Sequence, residues 1–300
     1  MRIASLDIGT NSILLLIADI ENSEIFPICE EIAIPQLGAD LIDNQIISKN
    51  SINRTQKVLS NFHQIIEHYN VDVVLANGTE VFRRAKNSTE VIEQLSQILG
   101  SQINIISAQK EAYLSFLGVI PDNNLWTVID IGGGSTEIIT GTVVEIQSSI
   151  SIPIGSLVIK NRFFKNDKPN ENEILQAKKY ISGIINTQVY DFSNTNLIGI
   201  GGTITSLAMI ALDMKEFKAA EIDNYFFPYE KNLEQTIMLS QMSSDEISST
   251  LNIHPKRADV LFSGALIFLF LQEKFGKVDF KISSKGLRFG AIKEFIMKNF

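Results

Sequence analysis

Trp126-Thr127-Val128-Ile129-Asp130-Ile131-Gly132-Gly133-Gly134-Ser135-Thr136 runs an apolar stretch into a glycine-rich turn, and Glu137 to Thr140 resume the apolar stretch beyond it. Two β-branched runs around a short turn read as a β-hairpin. The chain opens the same way. Ile3 to Ile8 lead into Gly9-Thr10-Asn11-Ser12, and Ile13 to Asp19 follow. Both first strands end on Asp-Ile-Gly, with Asp7 and Asp130 lying 123 residues apart. An offset of that size suits a duplicated domain and is too long for a solenoid unit.

A third strand follows each hairpin, over Glu24 to Ile34 and Val143 to Ile152. Helical and strand patterns then alternate. In the first half the spacing predicts helices over Ser51 to Tyr69, Glu80 to Lys86, Thr89 to Leu99 and Ala108 to Leu117, the last capped by Ser107. Strands fall at Val71 to Ala76 and Ile103 to Ile106. In the second half helices are expected over Glu171 to Ile185, Thr203 to Leu212, Lys231 to Met242, Ala258 to Phe275 and from Leu287 onward. Strands are expected at Leu197 to Ile200 and Asp279 to Ser283. Hairpins followed by alternating helices and strands give α/β domains with mixed sheets flanked by helices. The polar stretch Pro121-Asp122-Asn123-Asn124 places the boundary, giving an N-terminal domain of 1–124 and a C-terminal domain of 125–300.

The 300 residues are ample for two cores, and 45% of them are hydrophobic. A net charge of −8 argues against a broad basic face for nucleic acid. It leaves room for a local phosphate site, which needs only a few donors and a cation. The single cysteine, Cys29, excludes an internal disulfide and a cysteine metal cluster and reads as a small buried hydrophobe. The N-terminus has no signal-peptide pattern. The apolar run Val260 to Leu271 is too short for a membrane span and reads as a buried helix. A cytoplasmic protein without membrane attachment is the expectation. The apolar stretches Val260 to Phe275 and Phe289 to Phe300 suit either a homodimer interface or the core of a monomer.

The turns carry the chemistry. Glycines let backbone N–H groups approach a ligand closely, and successive N–H groups make an anion nest. Gly9, Thr10, Asn11 and Ser12, with Gly132, Gly133, Gly134, Ser135 and Thr136, are therefore the candidate phosphate cradle. Asp7, Asp130 and Glu137 are candidate ligands for Mg²⁺ or another hard divalent cation. One such turn alone is an ordinary hairpin bend; the matched pair points to phosphate. Gly199-Ile200-Gly201-Gly202-Thr203 is a third glycine turn, suited equally to a strand-to-helix bend or to a ligand contact. The three histidines show no ligand spacing; His254, beside Pro255 and Arg257, could meet a phosphate.

With these turns in order, the chain resembles the actin/hexokinase/Hsp70 superfamily, and within it the exopolyphosphatase/guanosine pentaphosphate phosphatase family in its short two-domain form. The resemblance spans nearly the whole chain. It rests on Asp7 to Ser12, Arg83-Arg84-Ala85-Lys86-Asn87, Ile106 to Ala112 with Gly118-Val119, Val128 to Glu137, Arg257-Ala258-Asp259 and Lys285 to Gly290. It implies two duplicated actin-like, ribonuclease H-like domains with the active site in the cleft between them. It also implies that Glu111 is the catalytic carboxylate that orients water, that Arg83 assists it, and that Asp130 and Glu137 serve the metal. Gly201, Gly202, Thr203, Arg257, Lys285 and Arg288 would line a substrate channel or contact a nucleotide. Lys110 departs from the family's paired acids, Ala108 from its glycine, and Asn77-Gly78-Thr79-Glu80 from its usual turn.

The activity so implied is Mg²⁺-dependent release of terminal phosphate from inorganic polyphosphate. Removal of the 5′ γ-phosphate from guanosine pentaphosphate is the alternative. A kinase of the same superfamily and a non-catalytic polyphosphate or alarmone sensor are the readings outside hydrolysis.

Overall fold

The opening apolar run forms β1 (Arg2–Ile8), which pairs antiparallel with β2 (Ile13–Glu21) through the predicted hairpin. β1 is buried along most of its length, and Ile3, Ala4, Leu6 and Ile8 have no exposed surface. A run apolar on both faces belongs in mid-sheet, and β1 lies at the centre of the order β3-β2-β1-β4-β5. β3 (Glu24–Ala33) forms one edge. β4 (Val73–Gly78) pairs parallel with β1, and β5 (Ile103–Ile105) pairs parallel with β4. The intervening helices are α1 (Lys49–His68), α2 (Glu80–Arg84), α3 (Ser88–Leu99) and α4 (Ala108–Val119). Cys29 is half-buried on edge strand β3 and packs against this unit's main core.

The pattern then repeats. β6 (Trp126–Ile131), β7 (Thr136–Gly141) and β8 (Ile146–Ile152) form an antiparallel meander. β9 (Asn196–Ile200) pairs parallel with β6, and β11 (Phe280–Ile282) parallel with β9. The short β10 (Phe226–Phe227) closes the edge, so the sheet order is β10-β11-β9-β6-β7-β8. Apart from that added edge strand, the order matches the first sheet strand for strand. This is a duplicated α/β fold with mixed sheets flanked by helices.

Its helices are α5 (Ser156–Phe163), α6 (Glu171–Thr187), α7 (Gly201–Ala211), α8 (Ala219–Ile222), α9 (Tyr229–Leu239), α10 (Ser244–Leu251) and α11 (Pro255–Lys274). The apolar stretch of α11 is consumed inside its own unit, where Leu261 to Leu269 are all buried. No helix among the described residues is long and apolar enough to cross a membrane.

The computed structural model describes residues 1–39, 41, 45–187, 195–223 and 225–300. The chain divides into two units, Met1–Gly118 with Gly286–Phe300, and Val119–Lys285. A split at 124/125 misplaces the terminal helix α12 (Leu287–Asn299). Phe289, Ile292 and Ile296 of α12 pack with Ile3, Leu16, Ala18 and Ile20 of the first sheet. An amphipathic pattern announces a helix but not the sheet its apolar face will cover. Four further elements among the described residues, α5, α8, β10 and α10, escaped the sequence reading. α10 carries a capping box, Ser243 with Glu246, which was legible in the sequence. α5 has no such signal, because its first turn is held by a distant loop.

Candidate active site

In the first unit, the Gly9 N–H donates to the Ser12 carbonyl at 3.0 Å. In the second, the Gly132 N–H donates to the Ser135 carbonyl, also at 3.0 Å. The two turns therefore close in the same way. Each is braced from outside. Gly38 N–H donates to the Thr10 carbonyl (2.8 Å) and Gln36 N–H to the Asn11 carbonyl (3.0 Å). Ser156 N–H donates to the Gly132 carbonyl (2.9 Å) and Leu157 N–H to the Gly133 carbonyl (3.0 Å). The carbonyls of the second turn thus accept from the first N–H groups of α5. The N–H groups of Gly133, Gly134 and Ser135 take no protein acceptor among the described residues. Such a turn offers donors to an anion.

The first unit also brings the predicted catalytic pair together. Glu111 lies in the first turn of α4, whose start is capped by the Ser107 hydroxyl accepting from Lys110 N–H at 3.1 Å. Arg83, from α2, reaches Glu111 Oε2 at 2.7 Å and donates to the Ile106 carbonyl at 2.9 Å. One guanidinium thus fixes both the carboxylate and the chain entering its helix. Both side chains remain about one-third exposed or less, 26% for Arg83 and 32% for Glu111.

Asp7 stands near this pair. Its Oδ1 is buried and accepts no hydrogen bond among the described residues. Burial pushes the carboxyl up to about 7, the negative charge of Glu111 adds to the shift, and Arg288 opposes it. A buried oxygen without a donor is the feature a cation or a proton satisfies.

Asp130 and Glu137 face each other directly across the β6–β7 pair, so their side chains share one sheet face. Ser151 of β8 is opposite Glu137 on the same row, and its hydroxyl donates to Glu137 Oε1 at 2.9 Å. Ser135 donates to the same oxygen at 2.5 Å. Ser151 was not singled out from the sequence; only the strand register reveals it. Two hard carboxylates on one face fit Mg²⁺, which takes one or two carboxylates and retains water. No group of three or more His, Cys, Asp or Glu close enough to enclose an ion occurs among the described residues.

Several residues expected at the ligand also make contacts within their own unit. Arg288 is 6% exposed, donates to the Leu15 carbonyl at 2.9 Å and pairs with Glu30 at 3.2 Å. Thr136 is fully buried, and its hydroxyl donates to the Ile154 carbonyl at 2.6 Å. Thr203 is buried against Gly264 of α11, where an added Cβ would come within 3.0 Å of Thr203 Cβ. His254 caps α11, its Nδ1 accepting from Lys256 N–H at 3.3 Å. Lys285 lies 3.9 Å from Asp223, a residue that also accepts from Ser284 N–H at 2.6 Å.

Gly201 and Gly202 begin α7, beside Asp130 and Arg257. Gly201 has φ +92°, and a Cβ there would lie 2.5 Å from Asp130 Oδ1. The Arg257 guanidinium lies alongside Gly202, and burial lowers its pKa. It pairs with no carboxylate among the described residues, which leaves its charge available to an anion.

Gly155 tests the loop directly. An added Cβ would collide with the Gly133 carbonyl and stand 2.6 Å from Gly134 N, all of it backbone. Gly155→Ala is expected to raise KM for a phosphate substrate about 10-fold or more, since overpacking costs about 1–3 kcal/mol and must shift the turn. Steady-state kinetics beside thermal melts check this; an unchanged KM would show that the turn does not contact substrate.

A matched pair of Asp-headed glycine turns, with an arginine-clamped carboxylate on one unit, defines a phosphate-handling class. The Ppx/GppA phosphatase family profile matches residues 16–299, and the chain belongs to that family. It is 33% identical over 97% of its length to the bifunctional 3-dehydroquinate synthase/phosphatase of Fusobacterium nucleatum, of which it spans only 46%. It is 28% identical to exopolyphosphatase 2 of Mycobacterium tuberculosis, covering 89% of this chain and 88% of that protein. The crystal structure of the Aquifex aeolicus Ppx/GppA family member superposes with a TM-score of 0.87 at 30% identity, covering 100% of this chain and 99% of that one.

Proposed function

We propose that the chain hydrolyses the terminal phosphoryl group of inorganic polyphosphate, with Mg²⁺ as its cation. The Arg83–Glu111 ion pair at the head of α4 carries the reading. Phosphoryl transfer asks a protein mainly for positioning and for charge stabilisation. Glu111 accepts a proton from water as that water attacks the terminal phosphorus. The bond from that phosphorus to the bridging oxygen breaks, releasing orthophosphate and a chain one unit shorter. Arg83 keeps the carboxylate aimed through the N–H it shares with the Ile106 carbonyl. The N–H groups of Gly133, Gly134 and Ser135 donate to phosphoryl oxygens, and Arg257 meets a phosphate further along the chain. Asp130 and Glu137, the latter held by Ser135 and Ser151, would hold Mg²⁺, with Asp7 as a further candidate. The cation would neutralise charge that develops on the transferring oxygens.

Guanosine pentaphosphate is the second reading. It is favoured by relatives named guanosine-5′-triphosphate,3′-diphosphate pyrophosphatase, such as that of Vibrio cholerae, 26% identical over 98% of this chain and 59% of that protein. Phosphate release should be measured side by side on long polyphosphate, short polyphosphate and guanosine pentaphosphate, with and without Mg²⁺. Faster Mg²⁺-dependent release from polyphosphate is expected. A preference for the nucleotide would favour the second reading, and folded protein releasing phosphate from none of the three would overturn both.

A further inference from the structure

Glu111 owes its place to α4, and α4 owes its place to α12. The two helices of the first unit meet antiparallel at intervals of four residues. Lys110 meets Glu294, Leu114 meets Gly290 and Gly118 meets Gly286. The two glycine contacts are very close. A Cβ on Gly290 would stand 2.6 Å from the Leu114 carbonyl carbon, and one on Gly118 would stand 2.8 Å from the Gly286 carbonyl carbon. Such contacts set the spacing of the helices but have little direction along them. The Lys110–Glu294 ion pair is directional. It lies at the end of α4 that carries Glu111, and its side chains are 33% and 18% exposed. Lys110 Nζ also lies 5.1 Å from the Tyr113 ring centroid, and Lys298 pairs with the same Glu294 oxygen at 2.9 Å. Successive helix residues point about 100° apart, so Lys110 anchors one side of α4 while Glu111 meets Arg83 on another.

We infer that Lys110 and Glu294 are positioning residues, an ionic brace that sets the rotation and axial position of α4 and so aims the Glu111 carboxylate. The inference rests on the hydrolase reading above. A misplacement of about 1 Å at a reacting group costs about 10²-fold in rate. A partly exposed ion pair contributes little to stability. The signature is therefore a loss of kcat out of proportion to any loss of stability.

The test compares Lys110→Glu, Glu294→Lys, the double exchange and Lys110→Arg. Each single charge reversal is expected to lower kcat about 10- to 100-fold, with KM within about 2-fold and Tm within about 3 °C of wild type. Lys110→Arg should stay close to wild type. The double exchange should recover kcat to within about 5-fold, the remainder reflecting Lys298 beside the new lysine. Single reversals that keep wild-type kcat, or a double exchange no better than the singles, would overturn the brace. Amide hydrogen exchange over 108–112 gives a readout without substrate. Faster exchange in the single reversals, restored in the double exchange, is expected, and no change would overturn the brace. If the wild type turns over none of the three phosphate substrates, the hydrolase reading fails while the exchange data still judge the helix contact.

Discussion

Glu111→Gln is expected to lower kcat on polyphosphate by about 10²- to 10⁴-fold, the range that a positioned general base supplies. Gln keeps the shape of the side chain and can accept from Arg83, but it takes no proton from water. The ion pair it interrupts is about one-third exposed, so its loss costs at most about 1 kcal/mol of stability. KM should change little, because the phosphate contacts assigned to the glycine turns are untouched. Single-turnover and steady-state rates, with a thermal melt on each preparation, check the expectation. A Glu111→Gln enzyme with wild-type kcat would remove Glu111 from the chemistry.

The second large effect concerns stability. In the fold the Asp7 carboxyl is pushed up to about 7 from an ordinary 3.8, first by burial and then by the charge of Glu111, with Arg288 opposing. A group whose folded pKa lies above its unfolded value stabilises fully below the unfolded pKa. That stability is lost as pH rises towards the folded pKa. With metal removed by chelator, the protein should therefore lose about 4 kcal/mol between about pH 4 and pH 7 from this carboxyl alone. Asp7→Asn keeps the shape and carries no charge, so its denaturation midpoint should lack this part of the pH dependence and exceed that of wild type at pH 8. Urea melts at pH 5 and pH 8 measure it. Equal pH slopes in the two proteins would show that Asp7 ionises as freely in the fold as out of it. Glu111→Gln should move Asp7 part of the way back, since it removes one of the two raising causes.

Much of this molecule was legible in advance because its signals are local. Alternating and continuous apolar runs placed β1, β2, β6 and β7, and the Asp-Ile-Gly repeat exposed the duplication. Both turns formed where the glycines fall, since a bend that brings backbone N–H groups together needs residues without side chains. Glu111 and Arg83, 28 positions apart in the chain, came together as the family resemblance implied. What the sequence left hidden was the partner of each side chain. Arg288 and Thr136 have the chemistry of ligand contacts, and each also donates to a carbonyl of its own unit.

The sequence by itself determined the duplicated hairpins and the two matched glycine turns, because both follow from residue type and short-range periodicity, while Glu111 among the carboxylates was singled out by the family resemblance. Only the tertiary structure decided that α12 returns to the first sheet, that Ser151 steadies Glu137, that α5 starts on the carbonyls of the Gly132 turn, and that Lys110 finds Glu294. Each of these joins residues far apart in the chain or on neighbouring strands. An apolar face or a charge specifies what kind of partner it needs, and packing alone selects which of many eligible partners it meets.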